Sequence, residues 1–212
     1  MAFDYKKVYK EFYLPPRQPQ LIAIPPLQFL AVKGKGDPNT ENGTYKQSID
    51  LLYGMAYTIK MSRLTGKTPP GYFDFVVPPL EGLWWQEDAK KISYIHKEIF
   101  QWISMIRLPE FVTEETFRWA QQEAAAKKGR DFSPVLFFTW EEGVCVQCMH
   151  IGPFDTESST LLAMENYAKA QGYELDLGMS RYHHEIYLSD VRRCKAENWK
   201  TVIRLPVKKK TP

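Results

Sequence analysis

Trp102-Ile-Ser-Met-Ile-Arg-Leu-Pro109 and Trp199-Lys-Thr-Val-Ile-Arg-Leu-Pro206 are two copies of one sequence pattern, and the fold prediction starts from them. Both copies begin with Trp, place Ser or Thr two residues later and end in Ile-Arg-Leu-Pro. A chance match of this length within a chain of 212 residues is improbable. Because the turn and helix signals before each copy also follow the same order, the pattern predicts an internal duplication.

The first copy ends a unit whose local patterns predict the order strand, helix, strand, strand. Residues 27–32 form an apolar strand run, and the Gly, Asp, Pro and Asn residues after it predict a turn. Residues 44–64 carry apolar side chains at three- and four-residue spacing, which predicts a helix with one buried stripe. GYFDFVV at 71–77 alternates like a strand, and PPLEGLWWQ at 78–86 continues it.

The second unit repeats this order. Residues 144–151 predict a strand, and residues 157–171 predict a helix that Gly172 ends. HHEIYLSD at 183–190 and WKTVIRLPV at 199–207 then predict two strands. Two βαββ units predict an α+β fold with one mostly antiparallel sheet backed by helices and a groove at the pseudo-two-fold junction.

These units divide the chain into an arm, a domain and a tail. The predicted boundaries are an N-terminal arm at 1–26, a single domain at 27–206 and a basic tail at 207–212. Within the domain, the first repeat covers 27–109, a connector covers 110–142 and the second repeat covers 143–206. In the connector, Thr113 is placed to cap a helix that Gly129 ends, and residues 134–140 predict a further strand.

The composition is that of a globular protein with unusually many aromatic residues. Aromatic residues make up 14% of the chain, enough for a well-packed core or for a pocket that holds flat ligands. The net charge of +3 is concentrated partly in the tail, and no basic stripe indicates a nucleic-acid partner. The sequence has no secretory signal and no apolar run of the ~20 residues that a membrane helix needs. We therefore expect a cytoplasmic protein, as a monomer or weak dimer.

The cysteine and histidine patterns do not predict a metal site. Cys145 and Cys148 have CxxC spacing, but they lie in a strand-like run, where residues three apart point to opposite faces. Neither a disulfide nor a shared metal fits that geometry, so we interpret both as structural thiols. His183 and His184 diverge for the same reason, and we expect no metal and no cofactor.

The run Tyr182–Leu188 places a carboxylate between an imidazole and a phenol. On a strand, His183, Glu185 and Tyr187 share one face, which we predict to be the open side of the sheet. The other face, which we predict to meet the helices, carries Tyr182, His184, Ile186 and Leu188. Glu can act as a base or attract a cation, and Tyr can donate to a developing oxyanion. The alternative is a solvated sheet face, where Glu and His are common.

Four runs of sequence resemble the stand-alone members of the GyrI-like (gyrase-inhibitor-like) small-molecule-binding family: VKGKGDPN at 32–39, FVVPPLEGLWW at 75–85, SMIRLPEFVTEETF at 104–117 and HHEIYLSDVRR at 183–193. The resemblance covers nearly the whole chain. It implies a duplicated βαββ fold with a ligand groove where the halves meet. The chain is most similar to the cyclopropanoid cyclopropyl hydrolases, which open the strained cyclopropane of planar DNA-alkylating antibiotics of the yatakemycin and duocarmycin type inside an aromatic cage.

The resemblance places a groove glutamate at Glu185. We therefore expect Glu185 and Tyr187 to be catalytic, with ligand-binding roles for Trp84, Trp85, Trp140 and His183. Two functions follow from this site. One is the hydrolysis of a planar cyclopropane-bearing xenobiotic by water addition, and the other is non-catalytic sequestration of flat or cationic hydrophobic drugs. A structural or partner-binding role has little support, because the chain lacks heptads and long charged tracts.

Overall fold

In a computed structural model of the protein, the structure describes residues 2–86, 96–178 and 180–210. Within these ranges the helices are α1 (Tyr5–Val8), α2 (Lys10–Tyr13), α3 (Thr44–Met61), α4 (Glu114–Lys128) and α5 (Ser158–Ala170). The strands are β1 (Gln20–Lys35), β2 (Leu80–Trp85), β3 (Gln101–Arg107), β4 (Leu136–Ile151), β5 (Tyr173–Leu175), β6 (His183–Tyr187) and β7 (Lys200–Lys209). The predicted α+β class and antiparallel sheet are confirmed.

The seven strands form one sheet in the order β4-β1-β3-β2-β6-β7-β5. All of the strand pairs are antiparallel, and β7 also pairs with β4. This last pairing closes six strands into a ring, while β5 extends the sheet from β7. The sheet therefore has an inner side within the ring and a helix-facing side outside it.

Helices α3, α4 and α5 bury apolar residues on the helix-facing side, whereas α1 and α2 pack against the inner side. Leu52, Met55 and Ile59 of α3 pack with Leu30 of β1 and Trp102 of β3. Each such side chain contributes about 1.5–3 kcal/mol when it is fully removed from water. Met164 and Ala168 of α5 pack in the same way on β4 and β7. No described helix has both the length and the apolar character needed to cross a membrane.

Helix limits were the most predictable part of the fold. The helix predicted at 44–64 is confirmed as α3 followed by a short 3₁₀ turn at Ser62–Leu64. The connector helix is also confirmed. Thr113 accepts a hydrogen bond from the Thr116 amide at its start, and Gly129 ends it with a left-handed φ of +59°.

The strand predicted at 71–77 is wrong. In that segment the structure has a single isolated bridge, which joins Phe75 to Phe3. The rings of Tyr72, Phe73 and Phe75 instead pack around Phe111. The alternation of apolar residues therefore reflects an aromatic cluster in a loop, and β2 begins only after Pro78 and Pro79, which lack the amide hydrogen of a sheet ladder.

The two longest strands run through segments that the sequence patterns predicted to be breaks. β1 begins at Gln20, although two prolines stand inside it, and β4 passes without interruption through the predicted boundary at 142–143. The two strands keep one register across this point, with Ile24 opposite Gly143 and Pro26 opposite Glu141, and no pair forms at Pro25. Gly143 has φ +67°, which fits a local irregularity in a long strand.

The repeated sequence pattern lies on two strands of the sheet. The first copy forms β3 and the second forms most of β7, which continues to Lys209 into the segment predicted as a basic tail. There Lys208 pairs with Glu174 of β5. The duplication itself stays a prediction, because strand identity alone does not establish it.

A buried ionic network lies on the inner side of the sheet. His184 contacts Glu142 through Nδ1 at 3.1 Å and Glu81 through Nε2 at 3.0 Å. Arg204 donates from Nη1 to Glu142 at 3.0 Å. Because both imidazole nitrogens of His184 face carboxylates, we assign this side chain as the protonated imidazolium, which donates a hydrogen bond from each nitrogen.

The N-terminal arm covers this network. Tyr13 of α2 donates to Glu81 at 3.5 Å, and Arg204 donates to the carbonyl of Phe12 at 2.6 Å. The guanidinium of Arg107 lies 4.5 Å from the centre of the Tyr5 ring. Arg107 and Arg204, the two arginines of the repeated pattern, are thus both buried beneath α1 and α2. Their contacts connect the N-terminal arm to the core of the domain.

This network predicts a pH dependence of stability. Burial would lower the pKa of His184, but Glu142 and then Glu81 raise it above its ordinary value of 6.5. The folded chain therefore binds this proton more tightly than the unfolded chain does. The resulting stability is complete below pH 6.5 and is lost as pH rises through the folded-state pKa.

Glu142 acts in the opposite direction. Burial would raise its pKa, but His184 and then Arg204 lower it below 4.5, so its contribution to stability is lost as pH falls. We expect the free energy of unfolding, measured by urea denaturation, to be highest between pH 4.5 and pH 6.5 and to fall at lower and at higher pH. A free energy of unfolding that increases steadily above pH 6.5 would contradict the assignment of His184 as a buried cation.

Candidate functional site

Glu185 lies in the middle of β6, opposite Gly82 of β2, and is 7% exposed. Its side of the sheet is the helix-facing side, where it meets Tyr45 at the start of α3 and Glu157 at the start of α5. The prediction that this face is open is wrong. The alternation along β6 was predicted correctly, but the sequence could not show that the first turns of both helices cover this strand.

A chain of hydrogen bonds fixes the carboxylate of Glu185. Oε1 is 2.9 Å from Nε2 of His183, and Oε2 accepts from the hydroxyl of Tyr187 at 2.8 Å. The Tyr187 hydroxyl in turn accepts from Nε1 of Trp84 at 2.9 Å. Four of the predicted site residues therefore lie together in one connected cluster.

Tyr187 remains a proton donor at neutral pH. Burial raises its pKa well above the ordinary value of 10.0, and the nearby charge of Glu185 raises it further. Tyr45 hydrogen bonds with Tyr187, and burial raises its pKa as well. The site thus offers two protonated phenols beside one carboxylate, an arrangement suited to proton transfer and oxyanion stabilisation.

Gly82 makes room for the contact between Trp84 and Tyr187. A Cβ atom at Gly82 would lie 2.6 Å from Nε1 of Trp84 and 2.9 Å from the hydroxyl oxygen of Tyr187. We therefore expect Gly82→Ala to separate these two groups and to lower the free energy of unfolding by about 1–3 kcal/mol. The hydrogen-bonded indole N–H resonance of Trp84, followed by NMR, should shift in the variant.

Gly178→Ala is the matched control for this substitution. A Cβ atom at Gly178 meets nothing within 4 Å, and this glycine is exposed. Its stability and the Trp84 resonance should match those of the unsubstituted protein. Equal effects of the two substitutions would show that Gly82 has no special role in the site.

Two aromatic residues of the site were missed by sequence reasoning. The Tyr45 ring lies 5.1 Å from that of Trp84, and the Phe154 ring lies 5.7 Å from that of Tyr187. Trp199 packs against Phe154 at 5.0 Å. Tyr45 lies within the helix predicted at 44–64, and Phe154 lies between the strand predicted at 144–151 and the helix predicted at 157–171, so neither pattern pointed to a site.

Trp85 and Trp140 lie on the inner side of the sheet, opposite Glu185. The Trp85 ring is 4.5 Å from that of Tyr182, and the Trp140 ring is 5.5 Å from that of His184. Both belong to an inner apolar cluster that includes Leu83. The ligand-binding role of these two residues stays a prediction, and it requires a surface separate from that of Glu185.

Glu157 adds a second carboxylate to the site. It precedes α5, is 0% exposed, and offers a ligand atom within 4.8 Å of ligand atoms of His183 and Glu185. One imidazole and two carboxylates are suitable ligands for a divalent cation. If a metal binds at this site, these three side chains are the groups that would hold it.

A cavity of about 490 Å³ opens between α3 and α4. It is lined by Asp50, Tyr53, Gly54, Tyr57, Lys128, Arg130 and Phe132. None of these residues belongs to the cluster around Glu185. The cavity has aromatic side chains and one acid, Asp50, but it lies apart from the hydrogen-bonded carboxylate of Glu185, so we do not assign the function to it.

Comparison with known proteins identifies the family. The family model described as the GyrI-like small molecule binding domain matches residues 17–208. Two crystal structures of Listeria innocua proteins align over 98% of this chain and 100% of theirs. One is described as a hydrolase, with 44% identity and a TM-score of 0.89, and the other as an uncharacterized conserved protein, with 46% identity and a TM-score of 0.92.

A more distant likeness supports the fold alone. The C-terminal domain of EcmrR aligns over 91% of this chain and 98% of that one, with 14% identity and a TM-score of 0.52. A comparison with curated proteins gives no match. The family model covers nearly all of the sequence, from before β1 to Lys208 within β7. The chain belongs to the GyrI-like family of small-molecule-binding domains.

Proposed function

We propose that the protein hydrolyses the strained cyclopropane of planar DNA-alkylating compounds of the yatakemycin and duocarmycin type. The observation that carries the proposal is the Glu185 carboxylate, which is held by His183 and Tyr187 on a wall that includes Trp84. The description of a Listeria innocua relative as a hydrolase, at 44% identity, also supports an enzyme.

The substrate would stack against the rings beside Glu185. These compounds carry a flat dienone with a spiro-cyclopropane, and Trp84, Tyr45 and Phe154 offer aromatic surface next to the carboxylate. Stacking would exclude bulk water and would hold the cyclopropane carbon near one bound water molecule. Since ring strain already weakens the bond, the protein mainly supplies positioning and modest acid–base help.

The reaction balances through two side chains. The oxygen of the bound water attacks the methylene carbon of the cyclopropane, and Glu185 takes a proton from this water as the new bond forms. The ring C–C bond breaks, its electron pair moves into the dienone, and Tyr187 gives its proton to the oxygen that becomes a phenol. Glu185 then returns a proton to Tyr187 across their 2.8 Å hydrogen bond, so the net change is the addition of one water.

Ligand fate, measured by mass spectrometry, tests this proposal. The protein is incubated with an excess of a spiro-cyclopropane compound, and the products are followed with time. We expect many equivalents of ring-opened product per protein, each with the mass of one added water. Recovery of intact compound, or product formed no faster than in buffer, would remove the enzymatic assignment.

A second candidate function rests on the same carboxylate and rings. A buried carboxylate beside the rings of Trp84 and Tyr187 also suits a flat hydrophobic cation, which gains from charge attraction and cation–π contact. In that case the protein sequesters drugs without changing them. A thermal-shift screen would then show stabilisation by flat cations, with the intact compound recovered afterwards.

A further inference from the structure

The cavity between α3 and α4 has a chemistry of its own. Its volume of about 490 Å³ falls within the range of small-molecule sites, which is about 300–1,000 Å³. The residues that line it come from α3 and from the end of α4 with the loop that follows, and they lie outside the Glu185 cluster. A ligand held here would therefore be independent of the proposed hydrolysis.

Aromatic side chains make up much of the cavity lining. The rings of Tyr53 and Tyr57 lie 6.3 Å apart on α3, and Phe132, which is 1% exposed, joins the cavity to the core. Gly54 lets α3 approach this last ring, because a Cβ atom there would lie 2.9 Å from two of its carbon atoms. Burial raises the pKa of Tyr53, so its hydroxyl remains a hydrogen-bond donor at neutral pH.

The charged groups of the lining carry a surplus positive charge. Among the lining residues that the structure describes, Lys128 and Arg130 are cations and Asp50 is the single acid. The guanidinium of Arg130 lies 3.7 Å from the Asp50 carboxylate, which is too far for a hydrogen bond. Within residues 2–86, 96–178 and 180–210, no acidic side chain pairs with Lys128. Both cations can therefore donate to an anion in the cavity.

The dipole of α4 accounts for only part of this charge. Lys127 and Lys128 both lie in its last turn, where cations offset the negative end of the helix dipole. Lys127 does not line the cavity, although it offsets the dipole equally well. Arg130 lies beyond Gly129, the residue that ends the helix, yet it lines the same cavity as the two tyrosines. Its place in the lining therefore has no explanation in the helix itself.

We propose that this cavity binds a small planar aromatic carboxylate. The ring of the ligand lies against Tyr53 and Tyr57, where it gains from contact with aromatic faces. The carboxylate accepts two parallel hydrogen bonds from the guanidinium of Arg130, and Lys128 adds a point charge. Asp50 is 72% exposed, so the ligand displaces it from Arg130 at little cost. A flat cation lacks these contacts and is repelled by the surplus positive charge.

NMR titration of the full chain with 2-naphthoate tests this proposal, and the neutral 2-naphthamide is the comparison compound. We expect 2-naphthoate to shift the backbone amide resonances of Tyr53, Gly54 and Tyr57 in a saturable way. The amide should bind about tenfold more weakly, because it lacks the charge that Arg130 recognises. Equal affinities of the two compounds, or shifts at Trp84 in place of those on α3, would overturn the proposal.

Substitutions at the end of α4 separate a built site from general charge attraction. We expect Arg130→Gln to raise the Kd for 2-naphthoate by about tenfold, since the paired donors are lost. Lys127→Gln is the matched control, because Lys127 is exposed and carries the same charge in the last turn of α4 but does not line the cavity. Its Kd should change by less than about twofold, because solvent screens this charge. Equal effects of the two substitutions would contradict the site.

Discussion

Replacing Glu142 with glutamine should lower the free energy of unfolding by about 3–5 kcal/mol. The carboxylate of Glu142 lies between His184 and Arg204, and the exposed fractions of the three side chains are between 1% and 3%. Glutamine keeps the shape but removes the negative charge, so two buried cations lose their shared partner. Such uncompensated burial is among the largest single-residue effects known in proteins.

Urea denaturation at neutral pH measures this loss, and Glu114→Gln provides the control. Glu114 also pairs with an arginine, Arg118, at 2.7 Å, but its side chain is 65% exposed. The control should change the free energy of unfolding by less than about 0.5 kcal/mol. If the two substitutions have equally small effects, the inner network is not the source of stability that its geometry implies.

Glu185→Gln should reduce turnover of a spiro-cyclopropane substrate by about 100-fold or more. Glutamine cannot take a proton from the attacking water, although its carbonyl oxygen can still accept the hydrogen bond from Tyr187. The melting temperature should stay close to that of the unsubstituted protein, since the volume and one of the two contacts are kept. A large loss of turnover with an unchanged fold is therefore expected.

Steady-state kinetics and thermal melting of the same preparations test this prediction. Glu174→Gln is a suitable control, because Glu174 lies on β5, is half exposed and pairs with Lys208. Its turnover should be unchanged. Full activity in Glu185→Gln would remove Glu185 from the mechanism, whereas a collapse of the melting temperature would indicate a structural role.

Much of the fold could be predicted from local sequence signals. α4 was predictable to the residue because Thr113 and Gly129 are strong start and stop signals, and α3 because its apolar stripe is long. The failures have a common cause. The conformation of residues 71–77 depends on packing against Phe111, and the prolines inside β1 are accommodated by its pairing with β4. Both partners are distant in sequence, so no local pattern reveals them.

The candidate site was predictable only along a single strand. Alternation placed His183, Glu185 and Tyr187 on one face, and the structure brings Trp84 to them through β2. The contributions of Tyr45 and Glu157 come from helix starts that reach β6 through tertiary packing. The adjacent Trp84 and Trp85 point to opposite sides of the sheet, so only one of them can join Glu185.

A crystal structure of the protein soaked with a planar spiro-cyclopropane compound, or with its ring-opened product, tests the central claim most directly. We predict that the ligand stacks on Trp84 with an oxygen atom in hydrogen-bond reach of Tyr187 and the reacting carbon next to Glu185. Ligand bound instead in the cavity between α3 and α4, or against Trp85 and Trp140 on the inner side of the sheet, would contradict the assignment of this carboxylate as the functional centre.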